Sequence, residues 1–331
     1  MSHAFDAVLI IAFGGPQGPG DIRPFLENVL RGRRVAPGRI DEVAHHYELF
    51  NGVSPLTDLT MRQADGLRQV LRDSGMALPV YVGMRNWHPF LPDTLAAMSR
   101  DGVRHAVGII AAAHRSYSSC TQYRENVADA RRALAVGGLP DVKVSYVPDW
   151  HDHPSFVAAN AEHVVEAMRG LPEAFRPNAR LIFTAHSIPL RMAERSRYRE
   201  QLVESAREVA RAVGQSDWAL VYQSRSGNPQ DPWLEPDICD YLRAARDEGL
   251  EAAVLCPIGF VCDHIEVLYD LDHEAASVAS SLGLAFARAE AVNNHPRFLD
   301  ALADVVLATV RRHVHGIPLT MAHVAAVNTR G

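Results

Sequence analysis

Eight short apolar or β-branched runs, at 7–13, 79–83, 106–111, 142–147, 180–184, 218–223, 252–259 and 285–288, alternate with longer segments of helical spacing. The helical segments are expected at 22–30, 40–50, 58–73, 91–100, 123–134, 156–169, 197–213, 235–248, 263–282 and 296–313. Strand, helix and strand in succession give a right-handed crossover and a parallel pair. Parallel strands are covered on both faces, so their runs read as continuously apolar. The pattern therefore predicts an α/β chain with helices on both faces of its sheets. Four runs precede residue 170 and four follow it. The prediction is two Rossmann-like domains, each with a four-stranded parallel sheet flanked by helices. The stretch 170–178 (GLPEAFRPN) is the expected linker. The expected units are 1–172, 173–305, and a tail at 306–331 that packs back on the first unit.

The bulk numbers exclude several functions. A length of 331 residues suits two domains, and 47% apolar with 22% charged residues is ordinary for a soluble globular chain. A net charge of −6 argues against a nucleic-acid partner held by bulk electrostatics. No apolar run reaches the roughly 18 residues of a transmembrane helix. The first apolar run has no basic segment before it and reads as a strand, so a cytoplasmic location is expected. Cys120, Cys239, Cys256 and Cys262 follow no zinc or cluster spacing and are expected to be reduced.

In open α/β sheets, ligands bind beyond the carboxyl ends of the strands. The first such loop, GGPQGPG at 14–20, has neither a Walker lysine nor G-x-G-x-x-G spacing, and reads as a structural turn or a close approach to a flat ligand. Later loops carry MRNWHPF at 84–90 and AAHRSYSSCTQY at 112–123. TAHSIP at 184–189 puts His186 directly after a buried strand, and QSRSGNPQDPWLEP follows at 223–236. The run at 252–259 leads into an acidic segment, with Asp263 at the expected N-cap. Helical spacing places Glu266, Asp270 and Glu274 at i, i+4 and i+8, one stripe of carboxylates about 6 Å apart. Their mutual repulsion is relieved by a hard cation, by partial protonation or by solvent. Spacing alone leaves those three open.

Taken together, these motifs resemble the ferrochelatase family, whose members insert ferrous iron into a porphyrin. FGGP (13–16), GVSPL (52–56), SSCTQY (118–123), TAHSIP, QSRSG with PWLEPD (223–237) and PIGFVCDHIEVLYDLDHE (257–274) carry the likeness nearly end to end. The resemblance is to the soluble coproporphyrin III enzymes of Gram-positive and actinobacterial type. It implies a porphyrin cleft between two Rossmann-like domains in a chelatase-like fold. It implies His186 and Glu266 as the pair facing the macrocycle, and Asp270 and Glu274 as a further metal-binding row, either an access route or a regulatory cation site. It places Phe13, Arg31, His46, Tyr47, Ser54, Arg85 and Tyr123 against the porphyrin. Leu30 stands where relatives have a propionate-binding arginine, with Arg31 and Arg33 close by. Phe13 stands where several relatives have an iron-ligating tyrosine, so product iron is expected to be held from the His186 side. Residues 317–331 contain no cysteine, so no [2Fe–2S] cluster is expected. No tightly bound cofactor is expected: Fe²⁺ is a substrate, and the implied state is a monomer.

Metal insertion must strip water from the ion, bend the macrocycle and remove two pyrrole protons. An imidazole that titrates near neutrality suits the proton step. Glu266 would either hold Fe²⁺ with the histidine or pass protons outward to Asp270 and Glu274. Iron(II) accepts a mixed imidazole and carboxylate site. Protoporphyrin IX is the alternative substrate, and sirohydrochlorin with cobalt or nickel a further one. A non-catalytic porphyrin or haem carrier is the alternative of a different class, but it needs no carboxylate row behind its axial ligand. Coproporphyrin's four propionates call for cationic partners, for which Arg31, Arg33, Arg34, Arg85 and Arg115 are available.

Overall fold

A computed structural model describes residues 4–32, 38–226 and 231–316, and the backbone of 320–321. The eight expected strands form as β1 (Ala7–Ala12), β2 (Val80–Met84), β3 (His105–Ile110), β4 (Lys143–Tyr146), β5 (Arg180–His186), β6 (Trp218–Gln223), β7 (Ala252–Cys256) and β8 (Ala285–Arg288). The first sheet has the order β2-β1-β3-β4 and the second β6-β5-β7-β8, with every pair parallel. One strand was not expected. β9 (Thr320–Met321) pairs antiparallel with β4 and makes the first sheet five-stranded. Its two residues are too few for a sequence pattern to show. The remainder of the tail, with Arg33 and Arg34, lies outside the described residues.

The helices of the first half are α1 (Ile22–Leu30), α2 (Arg39–Glu48), α3 (Leu56–Asp73), α4 (Leu91–Arg100), α5 (Gln122–Val136) and α6 (Pro154–Gly170). The second half holds α7 (Leu190–Glu194), α8 (Tyr198–Ala212), α9 (Ile238–Asp247), α10 (Ile265–Val267), α11 (Ala276–Ser281) and α12 (Pro296–Val314). The single helix expected over 263–282 forms as one unbroken run over 265–281, in which a π-helical segment, Leu268–Ala275, joins α10 to α11. π segments are rare and concentrate at functional sites. The expected N-cap also moves. His264 caps α10, because both carboxylate oxygens of Asp263 are engaged by Arg288 and Asn293.

Two helices cross between the halves. α6 packs on β7, β8 and α8 of the second sheet, whereas α12, near the end of the chain, packs on α3 and β3 of the first. One apolar core accordingly runs through both, from Val8, Ile10 and Ile109 to Leu181, Phe183 and Val254. The chain leaving β7 passes over the end of β5. A Cβ on Gly259 would lie 2.5 Å from that of Ala185, so only glycine permits the crossing. The Gly259 N–H donates to the Thr184 carbonyl at 3.1 Å.

The buried amide of Gln63, on α3, holds the crossing segment from the other side. Its nitrogen donates to the carbonyls of Asn293 at 2.7 Å and Val261 at 3.0 Å, with Cys262 Sγ at 3.0 Å. Gln63→Leu strands those buried carbonyls, and is expected to cost about 2–4 kcal/mol of unfolding free energy. The check is a lower denaturation midpoint at unchanged m-value. A change under about 0.5 kcal/mol would deny the amide this role.

Candidate active site

The site lies where the carboxyl ends of β1, β5 and β6 face the acidic segment. His186 ends β5 and is in register with Gln223, which ends β6. The Ser187 N–H donates to the Gln223 carbonyl at 2.8 Å, which ties the two strand ends together. His186 Nδ1 lies 2.5 Å from the Ser187 carbonyl oxygen. A carbonyl only accepts, so Nδ1 carries a hydrogen, and in the neutral ring Nε2 carries the lone pair. Nε2 faces Glu266 Oε2 at 3.8 Å, with both side chains partly exposed. With the ring neutral, two electron-pair donors face each other, and a proton or a metal ion between them would relieve their repulsion. Metal bonds of about 2.1 Å to nitrogen and to oxygen, as for zinc, meet across such a gap.

Behind Glu266 the expected row is present. Asp270 Oδ2 accepts from the Ser224 hydroxyl and from Gln223 Nε2, the latter at 3.3 Å. Ser224 holds a left-handed φ of 60°, uncommon outside glycine. Burial pushes the Asp270 carboxyl up to about 7, the charges of Glu266 and Glu274 add to that, and the two hydrogen bonds oppose it. Glu274 is also raised, first by burial and then by Asp237, against a hydrogen bond from Tyr269. Asp270, the middle member, is thus the carboxyl of the row whose burial most favours protonation. Among the described residues no three His, Cys, Asp or Glu side chains are grouped to hold a metal ion.

The opposite wall comes from the first half. Phe13 follows β1, with its ring edge-on to Phe25 at 6.2 Å. Tyr47 is buried on α2 at 5.7 Å from Phe25, and burial followed by the Glu266 charge raises its hydroxyl. Tyr123 lies beneath the Arg85 guanidinium at 5.6 Å, and its hydroxyl is pushed up to about 12, chiefly by burial. Ile265 of α10 is buried against Phe25 and Tyr47, so the two walls touch. His46 stacks on Tyr269 at 3.6 Å and 9°, a contact between α2 and the acidic segment. Ser54 is buried against Gly15, and its hydroxyl faces the Leu56 N–H at 3.5 Å. The glycine loop packs tightly on the protein: a Cβ on Gly15 would lie 2.7 Å from that of Ser54, and one on Gly14 3.0 Å from the Trp87 nitrogen. Arg31 is exposed at the end of α1, and Nη2 donates to Asn28 at 2.5 Å. Arg115 pairs with Asp149 in a separate cleft beyond β3 and β4.

Sequence reasoning missed His264, Gln223, Ser224 and Tyr269 as individual residues. The polar loop beginning at 223 was the available signal for two of them. All four cysteines are free. The raised Asp270 carboxyl carries a sign. The folded chain holds that proton more tightly than the unfolded one between about pH 4 and 7, so ionisation of Asp270 weakens the fold as pH rises through that window. Asp270→Asn is expected to match the parent's melting temperature near pH 4, to exceed it increasingly as pH rises to about 7, and to keep a constant lead above that. Parallel melting curves across that range would show that Asp270 does not titrate there.

Comparison with known proteins places the chain. The family model described as Ferrochelatase matches residues 5–310. A coproporphyrin III ferrochelatase of Streptomyces coelicolor is 46% identical over 318 residues, covering 92% of this chain and 85% of that protein. One from Mycolicibacterium smegmatis is 45% identical over 318 residues, at 95% and 92% coverage. One from Mycobacterium avium is 47% identical over 305 residues, at 91% and 87% coverage. Among solved structures, SirB from Bacillus subtilis with Fe3+ gives a TM-score of 0.57 at 12% identity, covering 95% of this chain and 99% of that one. That likeness speaks for the fold alone. Among the described residues no helix is long and apolar enough to cross a membrane. The match over nearly the whole chain, with His186 and Glu266 brought face to face, makes this protein a member of the ferrochelatase family.

Proposed function

We propose that the chain inserts Fe²⁺ into coproporphyrin III to give coproheme, working as a cytoplasmic monomer with no resident cofactor. The observation that carries this is the Nε2 lone pair of His186, 3.8 Å from the Glu266 carboxylate, with a protonatable Asp270 behind it. The names of the actinobacterial relatives support coproporphyrin III as the macrocycle. The porphyrin lies between the Phe13 wall and the His186 wall, so His186 Nε2 reaches the pyrrole nitrogens from one face. In its neutral form Nε2 accepts a pyrrole proton, and the imidazolium that results is paired by Glu266. Glu266 passes the proton to Asp270, whose carboxyl near 7 both takes and returns it at neutral pH. Glu274 stands next on the way to solvent. Phe13 offers no ligating atom, so product iron takes its axial ligand from the His186 side. Arg85 and Arg31 serve the propionates, with Tyr47, His46, Ser54 and Tyr123 shaping the cleft around the ring.

Glu266→Gln keeps the shape and removes the charge. It is expected to bind porphyrin as the parent does and to lose about 10²- to 10⁴-fold in kcat, as is His186→Ala. Porphyrin fluorescence quenching reads the binding, and the change of the visible spectrum under anaerobic Fe²⁺ reads the turnover. Parent-like turnover by either variant would remove that residue from the proposed role. Coproporphyrin III, protoporphyrin IX and sirohydrochlorin assayed side by side should rank coproporphyrin III first in kcat/KM. Preference for protoporphyrin IX would instead make the product protohaem. Porphyrin binding with no Fe²⁺-dependent change would indicate a carrier.

A further inference from the structure

A second cleft lies beyond the carboxyl ends of β3 and β4, lined among others by His114, Arg124, Tyr146 and Asp149. Open α/β sheets bind ligands at such ends. Its floor depends on Gly108, which is in register with Tyr146 on the neighbouring strand. A Cβ on Gly108 would lie 3.2 Å from carbons of the Tyr146 ring, so the glycine leaves that ring room to lie against β3. The Arg124 guanidinium sits over the ring, 4.7 Å from its centroid.

Three buried polar atoms of these residues have no partner. The Tyr146 hydroxyl and Arg124 Nε are two of them. Tyr146 is 3% exposed, and burial raises its hydroxyl against the opposing charge of Arg124, so it is an O–H donor at neutral pH. The third belongs to His114, whose Nε2 lies 2.9 Å from the Ser205 oxygen. Ser205 gives its own hydrogen to the carbonyls of His151 at 2.7 Å and Gln201 at 3.0 Å, so it accepts from Nε2. Burial pushes His114 down to about 3, which leaves Nδ1 a bare lone pair. Charge is unbalanced as well. Asp149 is taken by Arg115 and by Gln201 at 3.2 Å, whereas Arg124 pairs with no carboxylate among the described residues.

Buried donors and acceptors left unpaired are unfavourable. Two donors, one acceptor and a cation on one cleft ask for a ligand with acceptor oxygens, a hydrogen and negative charge. Measured to the centres of water-sized atoms, the cleft holds about 30 Å³, roughly twice what one water needs. Two oxygens of a small ion fit that space, and a ring does not.

We propose that this cleft binds hydrogen phosphate. One oxygen accepts from Tyr146 and Arg124, and the hydroxyl donates to His114 Nδ1. Sulfate has the same shape but carries no hydrogen at neutral pH, so the cleft discriminates against it. The proposal is independent of the roles given to His186 and Glu266.

The test is calorimetric titration of the full chain with phosphate, and separately with sulfate, at pH 7 and constant ionic strength. The parent should bind phosphate saturably, and sulfate at least about tenfold more weakly. Tyr146→Phe keeps the ring under Arg124 and removes one donor, and should weaken phosphate about 5- to 20-fold. Arg124→Gln should weaken it about 10- to 100-fold. Arg31→Gln, on α1 at the porphyrin cleft, should bind as the parent does. If Arg124→Gln fails to fold, Tyr146→Phe still decides, because it deletes only a hydroxyl that has no partner. Parent-like affinity in either folded cleft variant would overturn the proposal, as would the absence of saturable binding. Equal affinity for sulfate would overturn it too, since the hydrogen would then go unread. Binding lost in Arg31→Gln alone would put the ion in the porphyrin cleft instead.

Discussion

The site depends on a crossing that admits no side chain. The strand carrying His186 ends beneath the segment that leads to Glu266, and at that point Gly259 lies against Ala185 with no room for a methyl group. The crossing brings a histidine from one strand and a carboxylate from beyond another to within 3.8 Å. Gln63 then presses the segment down from the first half, through the carbonyls of Val261 and Asn293. The pair is consequently placed by backbone packing rather than by its own mutual attraction. That matters for chemistry, because a pair held together only by charge would close up once protonated.

Electrostatics grade the row behind the pair. Three carboxylates on successive turns cannot all stay ionised in a half-buried setting without cost. The structure relieves the middle one, where burial and two negative neighbours outweigh the hydrogen bonds from Ser224 and Gln223. On the outward side, Tyr269 stabilises the charge of Glu274 and also stacks on His46 of the opposite wall. The result is a row of carboxyls graded in how strongly their ionisation is opposed.

The sheets were legible because buried parallel strands must be continuously apolar, and each of the eight runs became a strand. His186 was legible for the same reason, as a polar residue directly after such a run. The stripe at 266, 270 and 274 and the helix that carries it were legible from spacing, yet the π-helical winding of its middle was not. A π segment changes the hydrogen-bond pattern without changing which residues are apolar. The cap at His264 was hidden by its neighbour. Asp263 is the better cap by propensity, and only the tertiary position of Arg288 and Asn293 diverts it. Ser54 and His46 show a similar limit. Both lie near the cleft, but their partners, Gly15 and Tyr269, are distant in sequence.

The exchange of helices between the halves has a consequence for how the protein is made. α12 and β9, which cover and edge the first sheet, are among the last elements of the chain to be synthesised. α6, made earlier, waits for β7 and β8 before it has a surface to lie on. Neither half can close its core as it leaves the ribosome, and contacts of such long sequence separation form slowly. The first sheet to be started is thus the last to be finished, and the cleft between the halves takes shape only after both sheets exist.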